Sequence, residues 1–297
     1  MSNIVLFAVW NRPEMLQVVM EDFMTAYEYH PIEGLKVLFI VEGGAPPKVI
    51  EHVENFPLEK EIIIRPERIG LSQNILKGMK VAMEMTEDYV IFQADDIIVH
   101  KTFFQYIDVL LNMGLDKTSV YLGVTYALDG DVNVVHQNHF YDAAGATITK
   151  RFYDKYIKPC ATEKFYKNAR TRHLYVTALD KKYQSYYPVK YKKKYGPGEH
   201  NEQAGLINRL TDIAFIHDGF TTIQPEVTRV RNIGFYGKNR PGSFLPGNSY
   251  DERLANLREI IVSSRSINAM TRYKTDDYRD FPPELDAWDG KIIVKGD

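Results

Sequence analysis

The stretch that most limits what this chain can fold into is residues 88–99. Tyr89, Val90, Ile91 and Phe92 lead through Gln93 and Ala94 to two adjacent acids, Asp95 and Asp96, after which Ile97, Ile98 and Val99 resume the apolar run. A short run of β-branched and aromatic residues bounded by polar ones reads as a buried central strand. Two carboxylates at the end of such a strand are costly to desolvate unless they face a cleft and meet a cation, and oxygen pairs suit Mg²⁺ or Mn²⁺. The pair therefore reads as a metal seat. Taken alone, it reads equally well as a strand end turned into water with two hydrated acids.

The preceding chain supplies a frame for that strand. Ile4 through Val9 is an apolar run followed by Trp10, Asn11, Arg12 and Pro13: a strand, a polar turn, and proline at the first position of a helix that turns Met15, Leu16, Val18, Val19 and Phe23 inward. A second strand over residues 35–41 ends at Glu42, Gly43 and Gly44, where the chain turns out of the sheet. A third is predicted at Ile62, Ile63 and Ile64. Arg65, Arg68, Gly70 and Leu71 follow it, with Ser72 placed to cap a helix in which Asn74 lies early and Ile75, Leu76, Met79, Ala82 and Met83 share a face.

Strand, helix, strand, strand, helix, strand is the pattern of an α/β fold with an open, mostly parallel sheet and helices on both faces. Ligands of such sheets sit outside the carboxyl ends of the strands. The clusters at Asn11 and Arg12, Glu42 to Gly44, Arg65 to Asn74, and Asp95 and Asp96 all follow such ends and converge on one crevice. Neither GxGxxG nor GxxxxGK[ST] follows the first strand, so neither a dinucleotide fold nor a P-loop is indicated.

At 297 residues, 44% apolar and 26% charged, the chain can bury a sizeable core. Its single cysteine, Cys160, excludes an internal disulfide and a multi-thiolate zinc site. No apolar run approaches the roughly 18 residues of a membrane span, and no basic leader opens the chain. The expectation is a soluble cytoplasmic protein with no membrane contact and no obligate protein partner. The net charge of −2 hides an asymmetry: from Lys150 to Tyr195 fourteen Lys and Arg face three acids, a local excess of +11, interleaved with nine tyrosines. Cations among stacking rings suit a nucleic-acid surface, and suit equally a solvated basic face with structural tyrosines. His136 and His139, three apart with no third partner, carry no metal assignment.

These elements resemble the nucleotide-sugar-binding half of GT-A glycosyltransferases, and more closely the branching N-acetylglucosaminyltransferase type. The resemblance rests on the amino-terminal strand and turn, the helix start at Gly70, Leu71 and Ser72, the acid pair, and Phe103 and Phe104 beyond it. It extends through Val124 to Gly130 and on to Pro225, Glu226, Val227, Thr228 and Arg229, with Asn232, Ile233 and Gly234 following, roughly residues 3–240. It implies a GT-A-like nucleotide-diphospho-sugar transferase fold with Mn²⁺ or Mg²⁺ at Asp96 and Asp95 facing the ribose or a neighbouring base. Further nucleotide contacts are expected from Val9, Asn11, Arg12, Glu42, Arg65, Gly70, Leu71, Asn74, Gln93 and Arg229. Residues 1–240 would form the catalytic domain, with 1–110 its nucleotide-sugar half and 111–240 its acceptor half, and 241–297 an extension packed upon it.

The sequence departs from the family at two places. Ala94 stands where the family has the first acid of its motif, and the Asp-Asp-Trp run near the family's catalytic base is missing. Glu202, just before the apolar stretch 204–210, is expected to be that base, with Glu199 its rival; both are also ordinary first-turn acids favoured by a helix dipole. The resemblance implies a metal-dependent, inverting transfer from a nucleotide-diphosphate sugar, a UDP-sugar first. With the basic segment it suggests as acceptor a 5-hydroxymethylated pyrimidine in double-stranded DNA, in the manner of phage-type enzymes, flipped from its stack. Transfer to a glycan, lipid or protein hydroxyl and a non-catalytic nucleotide-binding role are the alternatives.

Overall fold

The computed structural model describes residues 3–114, 120–121, 130–138, 145–162, 222–234, 244–262, 281 and 283–295. The apolar runs become parallel strands lying side by side. β1 (Asn3–Val9) sits between β2 (Leu35–Val41) and β4 (Tyr89–Ala94), and β3 (Lys60–Ile64) borders β2. Strands covered on both faces read as continuous apolar runs because alternate residues enter opposite cores. In β1, Val5, Phe7 and Val9 join one core, and Ile4, Leu6 and Ala8 the other.

The first core is closed by α1 (Pro13–Tyr29), α2 (Pro47–Glu54), α4 (Phe103–Asn112) and α5 (Tyr250–Val262). Its centre is aromatic: Phe23 packs edge-on against Phe56 and Phe104, and Phe7 lies 5.2 Å from Phe39 between ring centroids. Burying each such ring contributes about 1.5–3 kcal/mol. The second core is covered by α3 (Leu71–Glu84) and by an irregular helical stretch over residues 150–160. Helix α3 lies close on the sheet because Gly78 is bare; a Cβ there would meet Ile40 at 2.7 Å.

Beyond β4 the sheet becomes mixed. β8 (Thr147–Thr149) runs antiparallel to β4, and β6 (Val120–Tyr121), β9 (Thr222–Pro225), β7 (Val134–Asn138) and β11 (Ile293–Lys295) follow outward. Among the described residues the strand order is β11-β7-β9-β6-β8-β4-β1-β2-β3. A separate antiparallel ribbon joins β5 (Ile97–Val99), which leaves the acid pair, to β10 (Val230–Asn232). The protein thus has the expected α/β architecture of a mostly parallel mixed sheet with helices on both faces. No helix among the described residues is long and apolar enough to cross a membrane.

Three expectations are corrected. A helix, α2, intervenes between the second and third strands; it buries only Val49 and Val53, too short a pattern to stand out. The cap of α3 is Gly70 at φ +90°, with Leu71 already helical, so Ser72 lies inside the helix rather than at its cap. Lys150, counted with the basic segment, donates to the carbonyl oxygens of Met83 and Thr86 and ties off the carboxyl end of α3. Partners of opposite sign, carbonyl dipoles at a helix end, hold that cation in place.

Candidate functional site

The register of the first four strands is flush. Val9 stands opposite Val41, Val41 opposite Ile64, and Ala8 opposite Ala94, so the four turns that follow open on one edge. Their backbones are stitched together: Glu42 N–H donates to the Val9 carbonyl, Arg65 N–H to Val41, and Asp95 N–H to Ala8, all at 3.0–3.1 Å.

At the centre of this edge lies Arg12. Its Nη2 donates to Asp95 Oδ1, and its Nη1 lies 2.8 Å from Asp96 Oδ2. Burial works to lower the Arg12 pKa, but the two carboxylates outweigh it and hold the guanidinium above its ordinary value. Asp95 is 4% exposed. Burial pushes its carboxyl up, against the pull of Arg12 and of a 3.1 Å hydrogen bond from the Trp10 amide. Arg12 and the Trp10 amide are what let an acid sit this deep, since an unpaired buried carboxylate is costly.

The second acid faces the β5–β10 ribbon. A Cβ at Gly234 would fall 2.4 Å from Asp96 Oδ2 and 2.9 Å from Asn232 Oδ1, so only a bare backbone lets these two oxygens converge. Asn232 Oδ1 accepts the Gly234 amide at 2.8 Å, and the Asp96 carbonyl accepts that of Ile233. Among the described residues no group of three or more His, Cys, Asp or Glu stands ready for a metal.

Glu42 forms the other wall. It is 4% exposed, and its Oε1 accepts the amides of Gly43 at 3.2 Å and Ile69 at 2.7 Å while its Oε2 is buried with no hydrogen-bond partner among the described residues. The turns after β2 and β3 press together here: a Cβ at Gly43 would lie 2.1 Å from the Glu67 carbonyl carbon. Arg68 is thereby laid over the Trp10 ring, 4.4 Å from its centroid. Asn11 lines an open groove of about 590 Å³ with Pro13, Pro46, Lys48, Tyr250 and Arg253.

Val9, Asn11, Arg12, Glu42, Gly70, Leu71, Asp95 and Asp96 are thus gathered at or beside one edge. Other expected contacts are turned inward. Gln93 is buried and donates to the Ile97 carbonyl, bracing the turn that carries the acids. Asn74 accepts from Arg65 Nε at 2.9 Å. Arg229, expected to pair with the nucleotide, is instead wholly buried between the rings of Tyr106 and Trp288, 4.2 and 4.6 Å from their centroids. It donates to the carbonyls of Val132 and Val227, and burial lowers its pKa to about 10. Its role is to hold the approach to β10. His136 lies 3.2 Å from Glu226. Glu199, Glu202 and His139 lie outside the described residues, as does the basic segment beyond residue 162. The sequence assigns no site role to Trp10, and it places Gly43 only in the turn after β2 and Asn232 and Gly234 only in the resemblance, without the contacts they make here.

No protein-family model matches the chain, and no curated protein does. Solved structures similar to it include TarS of S. aureus, with a TM-score of 0.39 and 12% identity over 52% of this chain and 29% of that one. TarS 1–349 in complex with UDP-GlcNAc gives 0.37 and 11% over 52% and 47%. Mannosyltransferase PcManGT from Pyrobaculum calidifontis, in complex with GDP-Man and Mn²⁺, gives 0.38 and 9% over 52% and 46%. The matched region spans less than half the length of each of these chains.

Proposed function

We propose that this chain is a GT-A-type glycosyltransferase that moves a sugar from a nucleotide-diphosphate donor to a hydroxyl acceptor with a divalent ion, Mn²⁺ or Mg²⁺. The observation that carries the reading is the meeting of Arg12, Glu42, Arg68 and the Asp95 and Asp96 pair at the flush ends of parallel strands. That edge is where open α/β sheets take their ligands. Arg12 and Arg68 offer planar forks that match phosphate oxygens.

A UDP-sugar is the first donor expected, as the resemblance implies, and Glu42, with Oε1 held by two backbone amides and Oε2 enclosed, shapes the wall beside it. The residues fit a hard cation: Asp96 Oδ2 and Asn232 Oδ1 are oxygen donors brought together over Gly234, and Mg²⁺-type sites complete themselves with substrate phosphates and water. When bound, the ion neutralises charge on the departing diphosphate as a Lewis acid. A single carboxylate that takes the acceptor proton as the oxygen attacks the anomeric carbon gives inversion, and Glu202, with Glu199 as the alternative, is assigned that task.

The charge excess of residues 150–195 supports an acceptor hydroxyl on a polyanion, such as a 5-hydroxymethylated pyrimidine of double-stranded DNA. In the described part of the segment, Arg151, Lys155 and Lys158 are exposed. A DNA acceptor binds with steep salt dependence, whereas a neutral glycan does not. Calorimetric titration with UDP, GDP and UDP- and GDP-sugars in Mn²⁺ tests the donor. UDP should bind the wild type, Asp96→Asn should lose the Mn²⁺-dependent part, and Glu202→Gln should keep donor binding while transfer slows by about 10²-fold. Failure of UDP, GDP and every UDP- and GDP-sugar to bind at millimolar concentration overturns the proposal. Donor binding without turnover on any acceptor makes the chain a nucleotide-binding protein instead.

A further inference from the structure

Arg12 and a divalent ion compete for one atom. The Asp96 oxygen that converges with Asn232 over Gly234 is Oδ2, and that same Oδ2 holds Arg12 Nη1 at 2.8 Å. An ion seated on Oδ2 would stand within a few ångströms of the guanidinium, where two positive charges repel strongly in a partly buried site. The guanidinium has a second anchor, because Nη2 stays with Asp95, itself fixed by the Trp10 amide. Rotation about that anchor frees Asp96 without exposing Asp95. What such a rotation needs is another anion to receive Nη1, and a diphosphate entering this edge is one.

We propose that Arg12 is the resident cation of the acid pair and the gate to it. It pivots on Asp95 and releases Asp96 Oδ2 to a divalent ion, completed by Asn232 Oδ1, only when a diphosphate takes over Nη1. The inference rests on the donor reading above and adds to it that metal binding is conditional on the nucleotide. By linkage the nucleotide is bound more tightly with the metal by the same factor.

The test is a Mn²⁺ titration of the full chain, following free Mn²⁺ by its paramagnetic resonance signal and subtracting the Mn²⁺ held by nucleotide in solution. It is run with no ligand, with uridine, with UDP and with GDP. Arg12→Gln combined with Asp95→Asn removes the guanidinium while leaving no unpaired buried acid. Arg12→Lys keeps one charge but not a fork that spans both carboxylates, and provides a second variant should the first not fold. Wild type should bind Mn²⁺ at least tenfold more tightly with UDP than alone, and uridine should leave it unchanged. Either variant without nucleotide should bind Mn²⁺ at least tenfold more tightly than wild type without nucleotide. Wild type that binds UDP and Mn²⁺ together, beside folded variants no different from it, overturns the gate and leaves the donor reading intact. A wild type indifferent to UDP and GDP, beside variants that gain Mn²⁺, overturns the gate through the donor reading.

Discussion

Replacing Gly43 by alanine strikes the point where two turns of the site cross. The new Cβ would lie 2.1 Å from the Glu67 carbonyl carbon, 2.2 Å from its oxygen and 2.5 Å from the Arg68 nitrogen. Carbon contacts settle near about 3.5–4 Å, so the facing loop must retreat by about 1.5 Å, and backbone cannot step aside as the end of a side chain does. Retreat breaks the 2.7 Å hydrogen bond from Ile69 to Glu42 and lifts Arg68 off Trp10. A hydrogen bond to a charged group contributes about 1.5–3 kcal/mol, and overpacking costs about 1–3 kcal/mol. Together these amount to about 2.5–6 kcal/mol, a fall in Tm on the order of 10 °C. Gly44 is the control. It sits at φ +76° with nothing among the described residues within 4 Å of its Cβ position, so alanine there meets the left-handed backbone, about 1–2 kcal/mol. Scanning calorimetry ranks the two, and UDP titration should show the larger loss for Gly43→Ala. A Gly43→Ala protein that melts as high as Gly44→Ala and binds UDP as wild type does refutes the crossing.

Burial raises the Asp22 pKa to about 6, Glu21 adds to this and Arg231 opposes it. The folded chain therefore keeps a proton that the unfolded chain releases near 3.8, and stability falls as pH rises through that window. Asp22→Asn should remove about 2 kcal/mol of that fall, read from urea melts at pH 4 and pH 6.5, and parallel curves for the two proteins would refute it. His100 works in the opposite sense: burial lowers it to about 4 against the pull of Asp286, so its contribution is complete above pH 6.5 and lost as pH falls toward 4. The same melts on His100→Asn should show a shallower acid-side loss, and an unchanged slope would count against the assignment. Arg229→Met removes a guanidinium stacked between two rings and should cost about 2–4 kcal/mol, because the carbonyls of Val132 and Val227 lose their donors. A melting temperature unchanged from wild type would show the sandwich to be idle.

What could be read in the sequence follows the range of the forces involved. The strands were legible because covered parallel strands must be apolar throughout, and the crevice was legible because polar turns follow each of them. Helix α2 was not, since two buried valines are no more pattern than chance provides. The binding of Arg12 to both acids joins residues more than eighty positions apart and depends on β1 and β4 ending level, which no local signal encodes. Arg229 was misjudged for a related reason. An arginine looks like a surface residue until rings from α4 and from the last part of the chain close over it, and those rings lie far away in sequence. The base at Glu199 or Glu202 and most of the basic segment fall outside the described residues.

The placement of β11 has a consequence in time. Residues 3–94 contain the four flush parallel strands, whereas the wall bearing Asn232 and Gly234 is propped by parts that follow it in the chain: Trp288 against Arg229, and β11 against β7, which pairs with β9. Nearby partners meet before distant ones, and a chain emerging from the ribosome folds its early units first. The ion pairs of Arg12 with the two acids need nothing made after residue 96, whereas Asn232 and Gly234 need almost the whole chain. Two carboxylates left bare at that stage would attract stray cations, and the arginine that neutralises them belongs to the same early stretch.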